Sequence, residues 1–204
     1  MDFAQSTLIL RQTLWLLSPE LALLIAGLLI AGLDTFRPAE EEEKNWLPSV
    51  SVALVGLACA LTATITLWEC DMPALSVLSC DPFALTIKTI TLVTVAIVVL
   101  TSETYVRARV PSHQQSKFYA LLLFSTLPMC LLGSTTDLIM IVLAFYFLSV
   151  TSYILTGYLR DDRRSVEAAI KYFLYGATLS AVMLYGVSWF YGPVSYTHLT
   201  LPTN

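Results

Sequence analysis

Six long apolar stretches constrain this chain more than any other feature: Pro19–Phe36, Leu47–Trp68, Phe83–Tyr105, Phe118–Ser134, Leu138–Leu159 and Ala168–Tyr191. A helix needs about 20 apolar residues to cross a bilayer. Most of the six approach or exceed that length, and the fourth is at the short limit. Isolated strands would leave backbone groups unpaired in lipid, so runs this long read as helices. Composition agrees: 56% of residues are hydrophobic and 13% charged, where a soluble domain carries about 25% charged. Mean hydropathy is +0.72. Eleven Lys and Arg face fifteen Asp and Glu, for a net charge of −4. These values exclude a disordered tail, a nucleic-acid binder and an ordinary soluble enzyme. The expected fold is all-α: a polytopic membrane helix bundle with six transmembrane helices.

Ser18-Pro19-Glu20 opens the first stretch. Ser suits an N-cap, Pro the first helical position, and Glu the positive end of the helix dipole. Residues 1–13 are polar and mixed, without a short apolar core followed by a small-residue cleavage site, so the first helix reads as retained. Lys and Arg then set the orientation. Arg37, Lys44, Arg107, Arg109, Lys117, Arg160, Arg163 and Arg164 fall in the loops after helices 1, 3 and 5, while Arg11 alone marks the other side. Eight against one places the basic loops inside and the N-terminus outside. Glu40–Glu43 reads as a solvated acidic loop. Trp15, Trp68, Phe83, Trp189 and Tyr191 fall where an outer aromatic belt belongs, and Phe36, Trp46, Tyr105, Tyr119, Tyr158 and Tyr172 where an inner one does.

Cys59 and Cys130 fall within helices and read as small apolar packers. Cys70 and Cys80 share the outer loop between helices 2 and 3, where an oxidising compartment permits a bridge and two unpaired thiols are the alternative. No CxxC pair occurs, and there are too few His for a Cys/His metal site. The stretch Val194–Thr203, VSYTHLTLPT, is similar to one reading frame of a transposase-library sequencing adapter. On that reading 193–204 is foreign, the native sequence continues beyond Gly192 in a longer protein, and His198 belongs to no site.

Charges within apolar stretches are costly, roughly 2.5–3.5 kcal/mol for a mid-helix Lys, and tend to be functional or to snorkel. Lys171 lies four residues after Glu167, on the same helix face, so the two can pair. Lys171 can snorkel to the inner interface, or it can be a buried amine that loads and releases a proton. Lys88, five residues inside helix 3, is expected to snorkel outward. Tyr146, near the middle of helix 5, reads as packing or as a hydroxyl in a proton relay. Glu20, Asp34 and Glu103 are expected at the interfaces. On helix 6, Gly176/Ser180 and Ala177/Ala181 offer small residues at the spacing of close helix contact. There is no P-loop, GxGxxG, HExxH or Ser-His-Asp pattern, and no evident cofactor or metal ligand set. The chemistry served is therefore transport, or belongs to partners.

Four strings carry a family resemblance: LSPELALL at Leu17–Leu24, KFYALLLFS at Lys117–Ser125, DLIMIVLAFYFLSVTSYILTG at Asp137–Gly157, and RSVEAAIKYFLYGATLSAVMLYGVSWFYG at Arg164–Gly192. Together they resemble the subunit N family of the proton-translocating NADH-quinone oxidoreductase, respiratory complex I. The likeness spans most of 14–192 and is strongest from Phe118 onward. It implies a fourteen-helix antiporter-like subunit, of which residues 14–105 form three N-terminal helices and 106–192 the start of the first of two inverted repeats, each with a broken helix. Residues 1–13 would be an outer segment. Lys171 and Glu167 match the family's helix-6 Lys and Glu, which implies a proton path through Lys171, Glu167 and the helix-5 position Tyr146.

Tyr146 is also the main departure, because the family has Glu there in a pattern like LELLSL. A phenol with a pKa of about 10 holds no carboxylate charge near neutral pH. Lys117 is a second departure, since an acidic residue is common before FYALLLFS. The resemblance implies no catalytic or cofactor-binding residue on this chain, with NADH, FMN, iron-sulfur clusters and quinone held by partner subunits. It implies membrane-arm subunits and the lipid bilayer as partners, no nucleic acid, and the bacterial plasma membrane as location. Two other functions remain open: a subunit of a multi-subunit cation/proton antiporter or membrane-bound hydrogenase, against which EAAIKYFLYGA argues, and a non-pumping spacer of the membrane arm.

Overall fold

A computed structural model describes residues 11, 13–35, 47–68 and 78–197. They form six helices: α1 Ser18–Thr35, α2 Leu47–Trp68, α3 Pro82–Arg109, α4 Ser112–Ser134, α5 Leu138–Thr156 and α6 Arg163–Thr197. Five, α2 to α6, are long and apolar enough to cross a membrane. The apolar part of α1, Ser18–Leu33, is shorter, but residues 13–16 ahead of it are already helical.

That helical lead corrects the reading of Ser18 as an N-cap. Leu17 N donates to Thr13 O at 3.0 Å and Leu21 N to Leu17 O at 2.8 Å, so the chain turns continuously into α1. Pro19 therefore sits inside a helical run rather than at its start, and its missing N–H costs the run one bond. True caps occur elsewhere. The Asp137 carboxylate accepts from Ile139 N at 2.7 Å and Met140 N at 3.2 Å, satisfying two orphan donors at the start of α5. Pro82 opens α3 behind an extended Asp81, as its fixed φ and absent donor favour.

Helix bounds differ from the apolar blocks mainly where polar residues prolong a helix beyond the hydrocarbon. α4 begins at Ser112, not Phe118. Its polar first turns are anchored: Gln115 Nε2 donates to Val110 O at 3.0 Å, and the Ser116 and Ser49 hydroxyls bond at 2.8 Å. α3 runs on to Arg109. α6 starts at Arg163 and continues through Gly192 and Pro193 to Thr197, so the helix does not stop at Gly192. α5 ends earlier, at Thr156, because the chain turns at Gly157.

Helices α1 to α4 make one unit. α1 and α3 each pack against both α2 and α4, which places α1 and α3 on opposite corners. Its core holds Leu23, Ala26, Ile30, Ala53, Leu57, Leu92, Val99, Leu123 and Cys130. Small residues bring α1 and α2 together: a Cβ on Gly56 would collide with that of Ala26. Tyr119, expected in the inner belt, is instead buried in this core, edge-on to Phe118. α5 packs on α4, and α6 mainly on α5 among the described residues, so much of the apolar surface of α6 is exposed. At one end of the unit, Ser79 N donates to Ser134 O at 2.7 Å, beside an antiparallel bridge between Leu78 and Thr135. At the other end Tyr158 Oη donates to Gln114 O at 2.5 Å. That second end carries Arg107, Arg109, Lys117, Arg160, Arg163 and Arg164.

Candidate functional site

Lys171 and Glu167 pair as their i,i+4 spacing predicts. Nζ lies 2.5 Å from Oε1, with the two side chains 65% and 60% exposed. They stand two turns into α6, at the arginine-rich end. The exposure follows from packing, because among the described residues α6 packs mainly on α5 and the pair faces away from it.

Tyr146 does not reach this pair. Its hydroxyl donates to Ser180 O at 3.3 Å, and Ser180 lies about 13 Å along the helix from Lys171 at 1.5 Å per residue. The phenol ties α5 to α6, and its ring borders an apolar groove of about 470 Å³ with Leu131, Met140, Leu143, Ala144, Phe147 and Val150. Groups nearer Lys171 come from Tyr172, whose hydroxyl is 3.2 Å from Ser152 Oγ, and from Tyr153, which meets Tyr172 and Phe173 edge-on. Gly176 makes room for Tyr153, since a Cβ there would strike its hydroxyl.

The expected small-residue face of α6 is half right. Gly176 and Ser180 face α5, with Ser180 buried, but Ala177 and Ala181 are exposed. One helical face cannot serve both pairs against a single neighbour.

Lys88 and Glu20 require a larger correction. Lys88 does not snorkel outward and Glu20 does not lie at an interface. Lys88 Nζ is 2.7 Å from Glu20 Oε1, with side chains 3% and 5% exposed. The pair joins α3 to α1, across the diagonal of the four-helix unit. The sequence offers opposite charges near the starts of two helices that enter from the same side, but does not show that those helices meet. Glu103 is half-buried and lies 3.1 Å from Arg107. The Asp34 side chain lies outside the described residues, as do Cys70, and with it the Cys70–Cys80 bridge, and His198. Among the described residues no three His, Cys, Asp or Glu side chains converge as metal ligands.

The segment bearing Tyr146, Glu167 and Lys171 lies within residues 135–202, which match the family described as NADH:quinone oxidoreductase/Mrp antiporter, transmembrane. NADH-quinone oxidoreductase subunit N 1 of Solibacter usitatus is 36% identical over 184 residues, covering 90% of this chain and 37% of that protein. Over most of its length this chain is similar to NADH-quinone oxidoreductase subunit N. NAD(P)H-quinone oxidoreductase subunit 2 of Gloeobacter violaceus is 35% identical over 183 residues, covering 88% of this chain and 34% of that protein. Among solved structures, a chain of respiratory complex I from Thermus thermophilus with bound aureothin superposes with a TM-score of 0.63. It is 26% identical and covers 85% of this chain and 36% of that chain. The chain thus spans little more than a third of the length of the subunit N relatives it matches. The match to a transmembrane family, with five helices long and apolar enough to cross a bilayer, makes it an integral membrane protein.

Proposed function

We propose that this chain is part of a membrane-arm subunit of NADH-quinone oxidoreductase that couples electron transfer from NADH to quinone with proton translocation. The observation that carries the reading is the Lys171–Glu167 pair, held in a bundle of this family. A lysine bound to a carboxylate can take up a proton and give it back as the field around the pair changes. Electron transfer belongs to partner subunits, which hold NADH, FMN, iron-sulfur clusters and quinone. The protein sits in the bacterial plasma membrane with its N-terminus outside, as the basic loops favour.

The test is Lys171→Ala in the full-length subunit within the assembled complex. Proton pumping should fall while assembly and quinone reduction persist. Undiminished pumping in assembled complex would remove Lys171 from the path.

One observation favours a second reading, a spacer that assembles without pumping. At the helix-5 position the Tyr146 phenol is bonded to a backbone carbonyl, so no carboxylate there tunes a lysine. Tyr146→Glu tests it: a gain in proton flux identifies Tyr146 as the lesion in a silent channel, and no gain counts against Tyr146 being the lesion.

A further inference from the structure

The buried pair in the four-helix unit has no part in the path through α5 and α6. Glu20 on α1 and Lys88 on α3 meet at 2.7 Å, with whole-residue exposures of 4% and 2%. Each alone would be a bare charge in an apolar core, and together they still bear the cost of leaving water. Lys88 Nζ lies in ion-pair distance of Oε1, and both carboxylate oxygens are buried without a hydrogen-bond partner among the described residues. A carboxylate oxygen in that position lacks a donor that a proton or a water would supply.

The surroundings isolate the pair chemically. α4 contributes Cys130, fully buried and within electrostatic range of both charges. α2 brings no charged residue among its described positions, and its buried Thr64 hydroxyl is committed to Ala60 O at 2.8 Å. The titratable groups facing one another are therefore Glu20, Lys88 and Cys130. One turn beyond Cys130, the end of α4 meets the loop before α3, where Ser79 and Ser134 are buried under the Leu78–Thr135 bridge. This end is opposite the arginine-rich loops and opposite the Glu167–Lys171 pair.

We propose that Glu20 and Lys88 form a second proton-holding site, exchanging with the aqueous phase at the membrane face opposite the arginine-rich loops. In the holding step one proton moves from the Lys88 ammonium to the Glu20 carboxylate, leaving an amine and a carboxylic acid with no other bond changed. The neutral pair is then open to a further proton from that face, taken up on the amine nitrogen. The site deepens the translocation reading and rests on it only for the use made of the proton, not for its being held.

Infrared difference spectra of the assembled complex, carrying the full-length subunit, test the site as pH is stepped. Wild type should show a protonated-carboxyl band that grows as pH falls, shifts in heavy water, and is lost in Glu20→Gln. A missing band, or one that persists in Glu20→Gln, overturns the proposal. Glu20→Gln alone strands the Lys88 charge, so Glu20→Gln with Lys88→Met is the companion variant. It should assemble and reduce quinone, yet lose the band and release fewer protons per electron. An assembled double variant with an unchanged proton-to-electron ratio makes the pair a structural tie and overturns the proposal. Lys171→Ala should leave the band in place whatever it does to pumping, so the two readings fail separately.

Discussion

A lysine in an apolar helix can send its amine to the nearest interface or bring an acid to it, and residue spacing along one helix does not say which. For Lys171 the acid is four residues away on the same helix, so the pair was legible in the sequence and the structure contains it. For Lys88 the acid is on another helix, 68 positions earlier, and only the corner arrangement of α1 to α4 reveals it. Tyr146 was legible as an anomaly but not in its contact, because a bond to Ser180 O depends on the register of α6 against α5. A prediction belongs at this scale. Lys88→Met leaves Glu20 as an uncompensated buried charge and should destabilise the protein by about 3–5 kcal/mol, as breaking a buried pair does. Adding Glu20→Gln should recover most of that loss. Thermal unfolding of the purified complex followed at this subunit measures both, and equal losses in the single and double variants would count against a buried ionic contact.

At the scale of the helices, apolar run length located all six, and their ends followed other rules. Ser112–Lys117 is too polar to be read as membrane helix, yet it is helical because Gln115 and Ser116 find partners on Val110 and Ser49. Hydroxyls inside the spans are handled locally. Thr86, Thr89 and Thr91 of α3 each donate to the carbonyl four residues back, which lets a strongly apolar helix carry them without a partner helix. Close approach is where single residues decide an element's position. Gly56→Leu must push α2 off Ala26 of α1 and should cost about 1–3 kcal/mol, the usual range for overpacking. Heat-induced aggregation of the assembled complex reports it, with Gly32→Leu, where a Cβ meets nothing within 4 Å, as the neutral comparison.

Taken whole, the described chain is a closed four-helix unit with two helices added in sequence. Fold class was legible because the bilayer permits so few solutions for long apolar runs. The division between a dense unit and its extension was not, because the most apolar stretches of α3, which sits in the unit, and of α5, which lies on its side, have the same mean hydropathy. The basic residues collect at one end of the molecule, so orientation has a direct check. A maleimide that cannot cross membranes should label Asp161→Cys only in inside-out vesicles, and Asp81→Cys only in right-side-out ones. The reverse pattern would invert the protein and the side on which each ionic pair faces water.

The diagonal pairing of Glu20 with Lys88 has a consequence for biosynthesis. At roughly 5–20 residues per second, the ribosome delivers Lys88 about 3–14 s after Glu20. The first helix must therefore enter the membrane before its counter-charge exists. A lone carboxylate in that setting is costly, so α1 is least at ease in the membrane until its partner helix arrives. When the hairpin of α3 and α4, joined by only Val110 and Pro111, follows it in, Lys88 supplies the missing counter-charge. The order of synthesis thus makes the four-helix unit, not any single helix, the smallest piece of this chain with its buried charges balanced.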